Sequence, residues 1–192
     1  EQMRSFCDEA AWLSKGELRA VGHARDLLDD YANLEHGATA DAQGGTRFGT
    51  GEAVVSKIEL LDASGREVRH LRTGDAATIR LHYLAKERVE KPVFGASIDS
   101  VDGPYMWGHH GRDAGFVPES IGPGEGSIDI GIPAITFRPG TFQISASIQD
   151  STCTHMYGAW QRAVTFAVGP GEPLESGGLV TLGTRFGNHR TR

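Results

Sequence analysis

The feature that most constrains this chain is a strict alternation of apolar and polar residues in its second half. The alternating members between residues 141 and 150 are Phe142, Ile144, Ala146 and Ile148 on one side and Gln143, Ser145, Ser147 and Gln149 on the other. A period of two places the apolar side chains on one face of a β-strand and the polar side chains on the opposite face. This stretch therefore predicts a strand with one face in a core and the other in solvent.

The same pattern recurs from residue 53 onward, in runs at 77–84, 94–99 and 127–132. Turn signals separate the runs, and the 26 glycines among 192 residues are about twice the usual ~7%. Seven or eight short strands with no helix between them predict an all-β fold, an antiparallel immunoglobulin-like β-sandwich over residues 53–192. The pattern does not fit a parallel α/β sheet.

The first 34 residues have a different character. Two short apolar runs flank the segment 14–16, which contains a glycine and favours a β-hairpin. Beyond it, Leu27, Leu28 and Tyr31 recur at helical spacing and predict an amphipathic helix. Residues 1–34 are therefore predicted to form a hairpin and a helix ahead of the sandwich.

Residues 35–52 are rich in glycine, and Phe48 is the one large apolar residue among them. Such a segment has little apolar surface to offset the entropy lost on ordering. It is predicted to be a linker between the hairpin–helix segment and the sandwich.

The net charge of the chain bears on which classes of molecule it can bind. Nineteen basic and 25 acidic residues give a formal net charge of −6, which argues against nucleic acid and anionic membrane surfaces as partners. The sequence contains no apolar run of about 18 residues and no apolar segment at its start, so we expect a soluble, cytoplasmic chain. A first residue of Glu1 is compatible with a fragment of a longer protein.

Two parts of the sequence resemble parts of one family. The segment Phe6-Cys7-Asp8-Glu9-Ala10-Ala11-Trp12-Leu13-Ser14-Lys15-Gly16-Glu17-Leu18-Arg19-Ala20-Val21-Gly22, followed by Leu27-Leu28 and Tyr31, resembles the closing hairpin and helix of an ABC-transporter ATPase domain. The sandwich resembles the carboxy-terminal carbohydrate-binding domain of the O-antigen exporter ATPases called Wzt. The landmarks of this second resemblance are Gly51-Glu52-Ala53, Gly74-Asp75, Phe94-Gly95, Pro139-Gly140, Ile148-Gln149-Asp150 and Phe166-Ala167-Val168.

The resemblance implies a function without catalysis. It implies recognition of an O-antigen-type polysaccharide on the cytoplasmic side, by a homodimeric ATP-binding subunit that is peripheral to the inner membrane and contacts a transmembrane exporter subunit. The parent ATPase would use ATP and Mg²⁺. This chain lacks a Gly-x-x-x-x-Gly-Lys-[Ser/Thr] phosphate loop, so we expect it to bind no cofactor and to hydrolyse no ATP.

Sugar recognition needs hydrogen-bonding groups for hydroxyls and rings for the apolar C–H face, and the sequence offers both. The polar candidates are Gln143, Ser145, Ser147 and Gln149 on one strand, Ser97 and Asp99 on a second, and Arg80 and His82 on a third. If these strands share a sheet, their outer faces form one polar platform. An ordinary solvent-facing sheet is the alternative.

The aromatic candidates lie in two clusters. Residues 105–112 contribute Tyr105, Trp107 and His109, for which the alternative is a strand that turns these three side chains toward the core. His155 and Tyr157 follow the serine and glutamine strand, and their alternative is a surface loop held by Trp160.

Other chemistries find less support in the residues. The adjacent His109 and His110 would point to opposite faces of a strand, so a shared metal ion is not favoured. The sequence has no Gly-x-Ser-x-Gly nucleophile motif, while glycosidase carboxylates cannot be recognised from spacing, which leaves hydrolysis open. The leading alternative is a protein-interaction sandwich that docks a transporter or biosynthetic partner. The run at 179–183 is able to add a strand to its own sheet or to a partner's, and its alternative is a frayed tail.

Overall fold

The structure, a computed structural model, describes residues 7–14, 16–35, 39–42, 44–101 and 103–184. The chain opens with a hairpin of β1 (Glu9–Ser14) and β2 (Glu17–His23), followed by helix α1 (Ala24–Glu35). Leu27 on the helix is buried, and Tyr31 meets Trp12 edge-on with ring centroids 5.5 Å apart. The predicted hairpin and helix are both present, although residues 1–6 and Lys15 lie outside the described residues.

The remaining strands form an antiparallel β-sandwich, as predicted. The strands are β3 (Thr39–Ala40), β4 (Thr46–Phe48), β5 (Ala53–Asp62), β6 (His70–Arg72), β7 (Ala77–Ala85), β8 (Val89–Glu90), β9 (Val93–Ser100), β10 (Tyr105–His110), β11 (Ser120–Ile121), β12 (Gly124–Ile132), β13 (Gly140–Gln149) and β14 (Met156–Gly169). The large sheet has the order β10-β9-β13-β14-β4-β3, with β6 pairing in parallel with β14. The small sheet has the order β12-β7-β5, and β8 pairs with β11.

The core lies between the two sheets and is built by the apolar members of the alternating runs. Leu60 and Ile79 of the small sheet and Ile144 of the large sheet have no solvent exposure. Each such side chain contributes about 1.5–3 kcal/mol through burial. Because one face of every long strand is committed to this core, the other face of each sheet is left to solvent.

The Gly-rich segment 35–52 contains ordered strands as well as connecting chain. Strand β4 pairs with residues 159–161 of β14, and the guanidinium carbon of Arg47 lies 3.4 Å from the centroid of the Trp160 ring. The Trp160 indole N–H donates to the carbonyl of Gly44 at 2.9 Å. These contacts offset the ordering entropy of a segment that has few apolar side chains of its own.

The run at 179–183 pairs with its own chain. The N–H of Arg138 donates to the carbonyl of Leu179 at 3.1 Å, and the N–H of Thr181 donates to that of Thr136 at 2.7 Å. The hydroxyl and backbone of Thr181 are thereby enclosed, and the residue is buried. Across the described part of the chain, no helix has the length and apolarity to cross a membrane.

The turn after β5 is organised by one carboxylate. Asp62 accepts hydrogen bonds from the hydroxyl of Ser64 at 2.6 Å, from its N–H at 2.8 Å and from the N–H of Arg66 at 3.1 Å. The hydrogen bond from the Ser64 hydroxyl, with the others, lowers the pKa of Asp62 to about 2. The carboxylate form is therefore the one that holds the turn.

We predict that Asp62→Asn removes a pH-dependent part of the stability. A depressed pKa stabilises the fold above the ordinary pKa of the carboxyl, and this contribution is lost as the pH falls from about 4 toward about 2. Urea unfolding at several pH values should show the variant less stable at neutral pH, with the difference shrinking in that acidic window. Glu125→Gln on the exposed side of β12 is the control. A difference between Asp62→Asn and the parent that is constant with pH would contradict this assignment.

Candidate functional site

The outer face of the large sheet presents the polar side chains of β13. Phe142, Ile144, Ala146 and Ile148 of this strand are buried in the core, so Gln143, Ser145, Ser147 and Gln149 lie on the opposite face. Strand β13 pairs with β9 on one side and with β14 on the other. Its outward residues therefore lie in the interior of the sheet surface, with neighbours on both sides.

One row of outward residues crosses five strands in register. From β4 to β10 the members are Phe48, Ala159, Ser147, Gly95 and His110. Adjacent strands lie about 4.8 Å apart, so the row spans about 19 Å. Its middle members are small and its two ends carry rings, which makes this part of the surface concave.

Two rings of β10 lie along the sheet surface because the residues beneath them are glycines. A Cβ at Gly108 would overlap the hydroxyl of Tyr105 and would lie 2.6 Å from its Cζ atom. A Cβ at Gly95 would lie 3.0 Å from His110 Nε2 and 3.0 Å from Ser147 Oγ. Without a Cβ at either position, the phenol of Tyr105 and the imidazole of His110 can approach the backbone closely.

These residues enclose a shallow cavity of about 90 Å³, here called the outer-face cavity. Its lining residues are Phe48, Gly95, Ala96, Ser97, Tyr105, His110, Ser145, Ala146, Ser147, Gln149, Met156, Ala159 and Gln161. The floor consists of glycine, alanine and serine residues, and the walls carry rings, a thioether and amides.

The hydroxyl groups of the floor are oriented by hydrogen bonds from within the chain. The N–H of Arg162 donates to Ser145 Oγ at 3.0 Å, and the amide of Gln149 donates to Ser147 Oγ at 3.4 Å. Arg162 has a φ of 52°, in the left-handed region, where the pairing of β14 with β13 shifts register. The hydroxyls of Ser145 and Ser147 each accept one bond in this way, and a hydroxyl that accepts a bond is also able to donate its own proton.

Of the residues predicted from sequence, five line the outer-face cavity, namely Ser97, Tyr105, Ser145, Ser147 and Gln149. Asp99 and Gln143 face each other on the same surface, in the row that also contains Tyr105. The amide of Gln143 donates to Thr165 Oγ at 3.4 Å. The structure therefore brings together the polar residues of β13 and β9 with one aromatic residue of β10.

Arg80 and His82 do not share this platform, because β7 belongs to the small sheet. Arg80 forms a bidentate ion pair with Asp129, with N–O distances of 2.7 and 2.8 Å. His82 Nε2 lies 2.6 Å from Glu59. The condition that the three strands share a sheet is therefore met by β9 and β13 but not by β7, since alternation specifies the face of a strand and not the sheet to which it belongs.

Trp107 and His109 lie on the side of β10 opposite to Tyr105. The pairing of β10 with β9 shifts register between Tyr105 and Trp107, so that Met106 is an extra residue. Trp107 is opposite Ile98 and packs against the core, whereas His110 is opposite Gly95 on the outer face. A bulge reverses the alternation along a strand, and for this reason the structure does not bring Trp107 and His109 into the outer-face cavity.

His155 and Tyr157 lie at the end of the sheet, next to Met156 of the cavity. His155 Nε2 is 3.0 Å from Thr50 Oγ and 3.4 Å from Glu52 Oε1, and its ring meets Tyr157 at 5.0 Å. Burial raises the pKa of Tyr157. The pKa of Glu52 lies below its usual value. Burial alone would raise this pKa, but hydrogen bonds to the carboxylate, the strongest of them from Thr50, outweigh burial. These two predicted residues form a separate polar cluster with Thr50 and Glu52.

Two larger cavities, of about 300 and 310 Å³, lie at the open edge between β10 and β12. Both include His109 and Ile130, and Trp107 lines one of them while the half-exposed Phe116 lines the other. Their walls are mainly apolar. Among the residues the structure describes, no group of three or more His, Cys, Asp or Glu side chains could hold a metal ion.

Several residues of the outer-face cavity were not expected from the sequence: Phe48, Gly95, His110, Met156, Ala159 and Gln161. Phe48 fell in the predicted linker, where its isolation among glycines was the available signal. His110 could be placed only with knowledge of the bulge at Met106. The small residues carry no chemical signal by themselves.

Two packed antiparallel sheets, with an apolar core between them and a concave outer face on the large sheet, define the class of β-sandwich domains. The sequence matches the family described as the Wzt C-terminal domain over residues 45–182. The chain belongs to this family, as the resemblance of its sandwich landmarks implied. Membership associates it with ABC transporters for polysaccharide export and with a transmembrane partner of such transporters.

The fold agrees with this assignment. A crystal structure of the C-terminal domain of Wzt superposes with a TM-score of 0.66 at 16% sequence identity, covering 83% of this chain and 96% of that chain. A Niemann-Pick type C2 protein from Japanese carpenter ant gives a TM-score of 0.45 at 9% identity, covering 62% of this chain and 95% of that chain. No curated protein sequence matches the chain.

We predict that Gly108→Ala displaces the ring of Tyr105 while the fold survives. The obstructing atoms belong to the tip of a side chain that can rotate away, so the loss of stability should stay below about 1 kcal/mol. Nuclear Overhauser contacts between the Tyr105 ring and residue 108 should disappear. Gly131→Ala, at a position where a Cβ meets nothing within 4 Å, is the control. A ring that keeps its place over the substituted residue would show that the glycine is not needed for its position.

Proposed function

We propose that this chain recognises a polysaccharide of the O-antigen type at the outer-face cavity, as the substrate-binding domain of the ATP-binding subunit of a polysaccharide-export transporter. The bound glycan would be read on the cytoplasmic side, before export. Recognition would couple the identity of the finished glycan to transport, without any covalent step.

The observation that carries this proposal is the row from Phe48 to His110. Small residues in its middle leave a depression that is longer than one sugar ring, and Ser147 supplies a hydroxyl there. Tyr105 and His110 lie along the surface, where a sugar could stack its apolar C–H face. Serine hydroxyls and glutamine amides offer the mixed donors and acceptors that sugar hydroxyls require.

The larger cavities at the open edge suit a glycan less well. The lining of the cavity of about 300 Å³ includes Ile98, Trp107, Ile130, Ile132 and Phe137, which provide few partners for hydroxyl groups. Placing a hydroxyl against such a wall without a hydrogen bond costs about 1–3 kcal/mol. The smaller outer-face cavity has the better chemistry for a sugar, in spite of its volume.

A shallow site of this kind binds weakly. We expect a binding free energy of about −4 to −6 kcal/mol, which corresponds to a Kd from about millimolar to tens of micromolar. Such affinity suits a site that must release a long polymer. Repetition of the site in a homodimeric parent protein would raise the avidity for a repeating glycan.

The other parts of the proposal concern the parent protein. Residues 1–34 would be the closing hairpin and helix of its ATPase domain, and ATP and Mg²⁺ would bind in the rest of that domain. A subunit of this kind would lie in the cytoplasm, peripheral to the inner membrane through its transmembrane partner.

A protein-docking function is the second candidate, and the open edge between β10 and β12 favours it. Phe116 is 51% exposed beside apolar cavities, and exposed apolar surface of this kind marks many protein interfaces. This function predicts that no glycan binds, and that Phe116→Ser weakens association with the transmembrane subunit of the transporter.

We predict that Tyr105→Ala weakens binding of the native polysaccharide by at least about 1 kcal/mol, the scale of a stacking contact. Ser147→Ala should weaken it by about 0.5–1.5 kcal/mol through loss of one hydrogen bond. Calorimetric titration of the parent and variant proteins with the O-polysaccharide of the source strain measures both effects. Ser127→Ala is the matched control, because Ser127 is an exposed serine on β12 of the small sheet.

Trp107→Ala separates the two faces of β10. Because Trp107 packs against the core, the substitution should lower the stability and leave glycan affinity within about twofold. NMR shift changes on titration should concentrate on β9, β10 and β13. Unchanged affinity in folded Tyr105→Ala and Ser147→Ala variants would remove the outer-face cavity from the proposal, and release of reducing ends would reveal a hydrolase instead.

A further inference from the structure

We infer that the outer-face cavity selects uncharged sugar residues and rejects glycans that carry carboxylates, an inference that rests on the proposed function. The side chains that line the cavity are hydroxyls, amides, a thioether, rings and small apolar groups. Within the described part of the chain, lysine, arginine, aspartate and glutamate are missing from this lining. His110 is the one basic side chain among the described lining residues.

The arginines that neighbour the lining residues in sequence are not themselves part of the lining. Arg47 precedes Phe48, but its guanidinium is bonded to Asp41 and to the carbonyl of Val55 and lies over Trp160. Arg162 follows Gln161 and is exposed, and it is not part of the lining. A carboxylate on a bound sugar would therefore meet no guanidinium from the described residues of the cavity.

Carboxylates, by contrast, lie around the rim. Asp99 is opposite Tyr105 in the neighbouring row, and Glu52 lies with His155 at the end of the sheet. The small sheet holds its own cations in ion pairs, for example Arg80 with Asp129 and Lys57 with Glu59. The formal net charge of −6 adds to the unfavourable potential that an acidic glycan would experience.

The consequence is discrimination by an unpaired charge. A neutral sugar exchanges its hydrogen bonds to water for bonds to serine and glutamine, whereas a carboxylate loses hydration and meets no guanidinium or ammonium group in the described lining. Specificity of this kind depends on the missing partner for the carboxylate as much as on the hydrogen bonds to the neutral sugar. Neutral binding should also depend little on salt, because an uncharged ligand forms no ion pair with the protein.

The test compares ligands that differ only at C6. Gluco-, galacto- and manno-oligosaccharides are titrated against the full chain, together with the counterparts in which the C6 alcohol is oxidised to a carboxylate. We expect the neutral form of a bound oligosaccharide to bind at least about tenfold more tightly than its carboxylated counterpart. Its affinity should change less than about twofold between about 20 and 500 mM salt.

A charge variant provides the converse measurement. Gln161→Arg places a cation at the cavity wall and should raise the affinity for the carboxylated ligand at least about fivefold in a salt-sensitive manner. Gln161→Met, of similar length and neutral, is the control, and Gln149→Arg repeats the test from β13.

The outcomes distinguish the two proposals. Equal or tighter binding of the carboxylated ligand by the parent chain would overturn charge selection and leave glycan recognition standing. Absence of binding by both ligand forms, and by the native polysaccharide, would overturn glycan recognition and this inference with it. Preferential binding of the neutral form, reversed by Gln161→Arg or Gln149→Arg, would support both.

Discussion

The burial of four alternating side chains on β13 is the constraint on which the rest of the structure depends. Phe142 and Ile148, with Ile144 and Ala146 between them, commit one face of the central strand to the core. The opposite face then presents serine and glutamine to solvent, and pairing with β9 and β14 adds their outward residues in register. A slip of one residue would exchange the two faces, so the same burial that stabilises the sandwich also fixes the chemistry of the site.

Sequence periodicity was sufficient to predict the long strands and the sandwich, because period-two patterns depend only on which residues are buried, but it gave no sign of the short strands β3 and β4. Partner choice between strands was not predictable, since it is decided by long-range packing, and Arg80 and His82 lie on the other sheet for that reason. The bulge at Met106 could not be predicted from the sequence either. One extra residue there turns Tyr105 outward while Trp107 remains against the core.

The outer face is concave because several of its outward positions hold small residues that have low β-strand propensity. Glycine and alanine are poor strand formers, yet Gly95, Gly108 and Ala159 occupy outward positions of the large sheet. The buried residues on the reverse face of the same strands compensate for this loss. Small outward residues thus lower the floor of the cavity, and a core that is already complete makes them tolerable.

Strand β4 contributes both to the outer-face cavity and to the attachment of the upstream chain to the large sheet. Phe48 forms one wall of the outer-face cavity, and its strand β4 pairs on one side with β14 and on the other with β3, the first strand of this sheet after helix α1. The cavity wall is thus one strand away from the strand by which the chain enters the sheet. Tension applied to the chain ahead of Thr39 would therefore be transmitted to the rim of the site, and a molecule lodged against Phe48 would stiffen the junction through which the upstream segment is tethered.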